Sequence, residues 1–233
     1  MTDRAEISDD DGPQGSAAAR AYRLLERQIV TLELAPSSIA TEGALIERVG
    51  LGRTPVREAI QRLAWEGLLE VRPRAGLAIA PLNPTDWLRV LDARRGVEAV
   101  LARSAARFVT PQIEQQFRAA AVEMLASVET SDVNRFLDAD KSLDDALAQA
   151  SDNPFAARVA APLQSHSRRF WYRYVRATGL AESAGQHVHL IAAILDGDEA
   201  RAGAEAERLM DLLRAHAESV LGLNPRPQAN AAA

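Results

Sequence analysis

Thr54, Arg57, Glu58 and Gln61 fall on one arc of a helical repeat that follows Gly52-Arg53, and Arg53 itself opens that repeat. Opposite them, Val56, Ala59, Ile60 and Leu63 recur at the i, i+3, i+4, i+7 spacing of a buried face. Guanidinium, hydroxyl and amide groups lined up on the outer arc of a helix can bond phosphate oxygens and base edges. A solvated surface helix carries the same pattern, so the flanking segments decide between the two.

Upstream, Glu42 to Val49 makes a second short helix with Leu45 and Val49 inward, and Gly50-Leu51-Gly52 supplies a tight turn between the helices. Downstream, Leu69-Glu70-Val71 and Leu77-Ala78-Ile79 alternate like short strands around Arg72-Pro73-Arg74-Ala75-Gly76. Helix, turn, helix and basic-tipped hairpin predict a winged helix-turn-helix. Ala17 to Leu34 is expected to back it as an amphipathic helix with Tyr22, Leu25, Ile29 and Leu32 inward, ended by Pro36; Arg20, Arg23 and Arg27 lie on its polar side.

The formal charge of −5 argues against a nucleic-acid partner until it is counted locally. Residues 20–80 hold nine Arg against seven Glu, net +2, whereas residues 1–15 hold five acids against one Arg, net −4. Without cysteine the chain has no disulfide framework, thiolate metal site or cysteine nucleophile. No apolar run suits a signal peptide or a membrane span, so a cytoplasmic location is expected.

Pro81-Leu82-Asn83-Pro84 reads as a stiff connector, and beyond it Ala, Leu, Arg and Glu at helical spacing predict a bundle of about six helices. Their expected spans are 85–109, 111–128, 132–150, 154–177, 181–196 and 198–222, with breaks at Thr110-Pro111, Thr130-Ser131-Asp132, Asp152-Asn153-Pro154, Thr178-Gly179 and Asp196-Gly197-Asp198. The fold class is therefore mainly α, an N-terminal winged helix-turn-helix plus a C-terminal all-helical bundle. The expected divisions are a disordered acidic tail at 1–15, a DNA-binding domain at 16–81, an effector-binding and dimerisation bundle at 85–223 and a disordered tail at 224–233.

The run Arg53-Thr54-Pro55-Val56-Arg57-Glu58-Ala59, with Leu63, Glu66-Gly67-Leu68 and Gly76, resembles the DNA-binding signature of the GntR family of bacterial transcription regulators. The resemblance implies that Arg53, Thr54 and Arg57 contact DNA and that a wing around Arg74 and Gly76 enters the minor groove, with Gln61 added on the same helical arc. Gly43 and Gly52 depart from the family pattern, each removing a polar side chain.

The bundle resembles the FCD effector domain of the FadR-type branch, through Arg94, Val97-Glu98, Asp140, the Ser151-Asp152-Asn153-Pro154 break, and His187 upstream of Gly197-Asp198. Six helices point to the VanR-like subgroup. Many relatives hold a divalent metal there with one Asp and three His. The corresponding positions here are Asp140, Asp144, His187 and Leu209, so two of the four are changed.

Two readings of this site stay open. Asp140, Asp144 and His187 make a three-ligand site for zinc, nickel or manganese; alternatively the site is metal-free, and Arg94 either pairs with the two carboxylates or clamps a carboxylate effector. His166, His189 and His216 read as surface or core histidines. Arg168-Arg169-Phe170-Trp171-Tyr172-Arg173-Tyr174 reads as a packed helix with Trp171 or Tyr172 walling the cavity.

Together these imply a homodimeric regulator, more often a repressor, that binds a palindromic double-stranded operator. A small, carboxylate-bearing effector at Arg94, Asp140, Asp144 and His187 would control it. The alternatives are a ligand-independent dimeric DNA-binding protein and a metal-dependent enzyme using Asp140, Asp144 and His187. The enzyme reading lacks an accompanying nucleophile and base.

Overall fold

Ala21, Leu25 and Ile29 stand four residues apart and are fully buried, which makes Ala17–Val30 an amphipathic helix, α1. This is seen in a computed structural model that describes residues 15–223. The tails expected at 1–15 and 224–233 lie outside the described residues, apart from Gly15. α1 stops at Val30 rather than Leu34. Leu32 adopts φ 61° and the Leu34 N–H bonds back to the Gln28 carbonyl at 3.0 Å, closing the helix before Pro36 is reached.

The next helix, α2 (Glu42–Val49), opens on Thr41, whose hydroxyl accepts from the Ala44 N–H, and closes on Gly50 at φ 66°. After it α3 (Arg53–Trp65) buries Val56, Ala59, Ile60 and Leu63. These four join Tyr22, Leu25 and Ile29 of α1, Leu45 of α2, and Leu68, Leu69, Leu77 and Ile79 in one apolar core. Tyr22 ties α1 to the C-terminal end of α3: its hydroxyl donates to Glu66 at 2.7 Å, and the Arg62 guanidinium lies 3.7 Å from its ring centroid.

Three antiparallel strands follow the order β1 (Ile39–Ala40), β3 (Gly76–Ile79), β2 (Leu69–Arg72). β1 is absent from the sequence reading, because two residues carry no alternation to read. Arg72 pairs with Gly76 across the hairpin, which leaves Pro73, Arg74 and Ala75 as its tip. Gly76 has φ +101°, and a Cβ there would stand 2.8 Å from the Ala40 carbonyl oxygen. Strain and clash both oppose a side chain, so Gly76→Ala is expected to cost about 3 kcal/mol of stability, measured by urea unfolding of the N-terminal unit.

The second unit holds α4 (Pro84–Phe108), α5 (Pro111–Thr130), α6 (Val133–Ala150), α7 (Pro154–Tyr174), α8 (Arg176–Leu195) and α9 (Glu199–Val220). Side chains of Asn83, Thr110, Asp132, Asn153 and Asp198 cap five of the six at their N-termini. Trp87, Phe117, Met124, Leu143 and Ile194 lie at the centre of the core, and α4 packs along α9 and α7.

Within the bundle, the boundary between the fourth and fifth helices differs from expectation. α7 gives way to α8 at Val175, and Thr178-Gly179 lies inside α8. A Cβ on Gly179 would meet Val175 Cγ1 at 2.3 Å and His216 Cε1 at 3.1 Å, so this glycine serves close packing rather than a break. Contacts divide the chain at Ala80/Pro81, with Val30–Leu32 counted with the bundle. No described helix is long and apolar enough to cross a membrane.

Candidate functional site

Along α3 the 3.6-residue repeat leaves Arg53, Thr54, Arg57 and Gln61 exposed while the opposite face is sealed in the core. Gly52 caps α3 without a side-chain bond, so the free N–H groups of the first turn add their partial positive charge to Arg53. Arg57 is not idle in this conformation: its Nε donates to Glu42 Oε1 of α2 at 2.8 Å, with both side chains solvated. Arg74 is exposed at the hairpin tip with φ 64°. Gly76 is half-buried against Ala40, and its place in the fold is to bring β3 close to β1 beneath that tip.

An exposed ion pair contributes less than about 1 kcal/mol. Glu42→Gln should therefore leave stability unchanged while freeing Arg57. Duplex DNA should then bind roughly 2- to 5-fold tighter at low salt, a gain that vanishes in the Arg57→Ala background and is read by fluorescence anisotropy.

Inside the bundle, Asp140 and Asp144 of α6 stand one turn apart and face α7 and α8. His187 of α8 places Nε2 2.9 Å from Asp140 Oδ1, and its Nδ1 lies 2.6 Å from the Ser183 carbonyl. A carbonyl only accepts, so Nδ1 carries a proton. Arg168 of α7 hydrogen-bonds Asp144 through Nη1, which also lies 3.6 Å from Asp140 Oδ2, and its Nη2 donates to Ser165 at 3.1 Å. Arg94 of α4 donates to Glu98 Oε1 at 2.8 Å, and Gln164 reaches the same oxygen at 3.1 Å. All of these side chains are buried.

Burial raises the Asp140 carboxyl, but the hydrogen bond from His187 and the charges of His187, Arg168 and Arg94 outweigh it and hold the group at about 2. Burial and the Asp140 charge push Asp144 up to about 7 against the pull of Arg168. Burial opposes the imidazolium of His187, yet the bond to Asp140 raises its pKa overall. When all six groups are ionised, three carboxylates meet two guanidiniums and one imidazolium, and the cluster is neutral.

Arg94, Asp140, Arg168 and His187 line a cavity of about 20 Å³, walled by Phe136, Leu137, Trp171 and Leu213. That is room for about one water molecule.

The structure brings Arg94, Asp140, Asp144 and His187 into one cluster, with a different pairing from the expected one. Arg94 bonds its own-helix neighbour Glu98, and Arg168 and His187 take the two aspartates. Trp171 walls the cavity and donates Nε1–H to Ser183 at 3.0 Å, whereas Tyr172 does not line it. Arg168, Glu98 and Gln164 are absent from the sequence reading of the site. Arg168 carries a signal nonetheless, because Ala160, Gln164, Arg168 and Trp171 form the buried stripe of α7 and a charge on that stripe needs a partner.

The three-ligand metal reading of Asp140, Asp144 and His187 does not fit this geometry. Arg168 holds the Asp144 carboxylate, Leu209 contributes an apolar side chain buried in the core, and among the described residues no three His, Cys, Asp or Glu side chains are arranged to share a metal ion. A dication about 4 Å from a guanidinium would meet roughly 8 kcal/mol of repulsion at an effective dielectric near 20.

Comparison with known proteins places both units. The family model described as bacterial regulatory proteins, gntR family, matches residues 17–79, and the FCD domain model matches residues 89–212. The HTH-type transcriptional repressor RspR of Escherichia coli is 29% identical over 135 residues, 56% of this chain and 58% of that protein, so the match spans little more than half of the relative. The galactonate operon transcriptional repressor of the same species is 27% identical over 204 residues, covering 77% of this chain and 88% of the relative. The solved structure of E. coli McbR/YncC shares the fold with a TM-score of 0.73 at 20% identity, over 88% of this chain and 98% of that one.

Proposed function

Since the chain belongs to the GntR family of bacterial transcription regulators and carries an FCD domain, we propose that it binds a palindromic operator as a homodimer and responds to a small carboxylate-bearing effector. Two half-sites about one helical turn apart call for two symmetric copies of α3. Arg53, Thr54, Arg57 and Gln61 would meet the major groove, and Arg74 at the hairpin tip the adjoining minor groove.

The observation that carries the effector reading is the convergence of two buried guanidiniums, Arg94 and Arg168, on one apolar-walled cavity. Planar forked donors suit a carboxylate. The relative named for the galactonate operon points the same way, since galactonate is a carboxylate. A neutral cluster around one water's worth of space means that an acid must win a guanidinium from Asp144 or Glu98 and move a wall aside. Binding is thereby coupled to a shift of α7 or α4, and the effector acts through its differential affinity for the two arrangements.

A thermal-shift screen of organic acids, each beside its amide, tests this. An acid that raises the unfolding temperature while its amide does not supports the proposal. Silence from every acid favours a second reading, in which the closed and charge-balanced cluster serves structure alone and the bundle only dimerises.

A further inference from the structure

We propose that Arg168 is a built-in substitute for a divalent metal, so that the bundle works without one and removal of this single side chain would uncover a latent metal site. Asp140 and Asp144 sit one turn apart on α6 and point at the same space. His187 has the geometry of a metal-ligating imidazole: Nδ1–H is pinned by the Ser183 carbonyl and Nε2 is aimed at Asp140. Two carboxylates and an imidazole are donor types that a first-row dication takes, although with Arg168 among them they are not arranged to share one. What occupies their common ground is the Arg168 guanidinium, bonded to Asp144 and 3.6 Å from Asp140.

Among the described residues no set of three such donors is arranged to share a metal ion, and a cation carried on α7 serves the carboxylates in its place. It neutralises the buried carboxylates without needing four donors, is always charged, and cannot be removed by a chelator. The inference stands whether or not an organic acid binds beside it.

Full-length protein purified without an affinity metal column provides the test, through elemental analysis and thermal unfolding with EDTA or with Zn²⁺, Ni²⁺ or Mn²⁺. The wild type is expected to carry no stoichiometric metal and to shift with none of these additions. Arg168→Ala is expected to take up about one equivalent and to gain on the order of 5 °C at saturating ion, and Asp140→Asn in the same chain to abolish the gain. Arg168→Met, which keeps the side chain's length without its charge, provides a second opportunity if the alanine variant does not fold.

Stoichiometric metal in the wild type, or destabilisation of it by EDTA, overturns the inference, and so does a folded charge-removed variant indifferent to all three ions. If neither variant folds, the wild-type measurements decide. A metal-free wild type that ignores every acid sinks only the effector reading, and a metal-loaded wild type that binds acids sinks only this one.

Discussion

Arg53→Ala with Arg57→Ala is expected to weaken operator binding by roughly 10²- to 10³-fold while leaving the fold intact. Each arginine that grips a base edge or phosphate is worth about 1–3 kcal/mol, and each lost phosphate contact lowers the salt slope of binding by about 0.9. The slope should therefore fall by up to about two between wild type and double variant, measured by anisotropy from low to moderate salt. Stability should hardly change. Arg53 and Arg57 are exposed, and the one ion pair lost, Arg57 with Glu42, is solvated on both sides. Unchanged affinity and slope would show that α3 does not face DNA.

The second large effect lies in the bundle. Arg94→Ala removes the donor that makes two contacts with the Glu98 carboxylate, which is 4% exposed, and leaves only the Gln164 amide on it. A buried carboxylate stripped of its counter-charge costs about 3–5 kcal/mol, which lowers the bundle's unfolding temperature by roughly 10 °C for a unit of this size. Replacing both partners, Arg94→Leu with Glu98→Leu, is expected to recover most of the loss, because no uncompensated charge remains. A single variant within about 1 kcal/mol of wild type would mean that water reaches Glu98 after all.

The bundle also contrasts two ways of organising a buried charge. Arg94 and Glu98 satisfy each other within one helix, at a spacing that any sequence shows. Asp140, Asp144, Arg168 and His187 satisfy each other only across α6, α7 and α8. A change in the packing of α7 disturbs the second set, whereas from the first pair it takes only the Gln164 bond to Glu98. Under the proposed function, Arg168 is therefore where an effector would act.

By itself the sequence determined what is local. The stripe Val56, Ala59, Ile60 and Leu63, the Gly50 turn and the bundle helix spans apart from the α7/α8 boundary were legible, since helical period and turn chemistry depend on residues three or four apart. The two-residue strand β1, the packing role of Gly179 and the Leu32 closure of α1 were not, because each depends on a neighbour brought in by the fold or on too few residues to make a pattern. Asp140 and Asp144 were visibly on one face of a helix, but which cation would stand before them was a question of three-dimensional reach. Arg168 lies 24 residues from Asp144 and meets it only because α6 and α7 pack with those faces together, where a desolvated carboxylate has to take whatever positive charge the packing delivers.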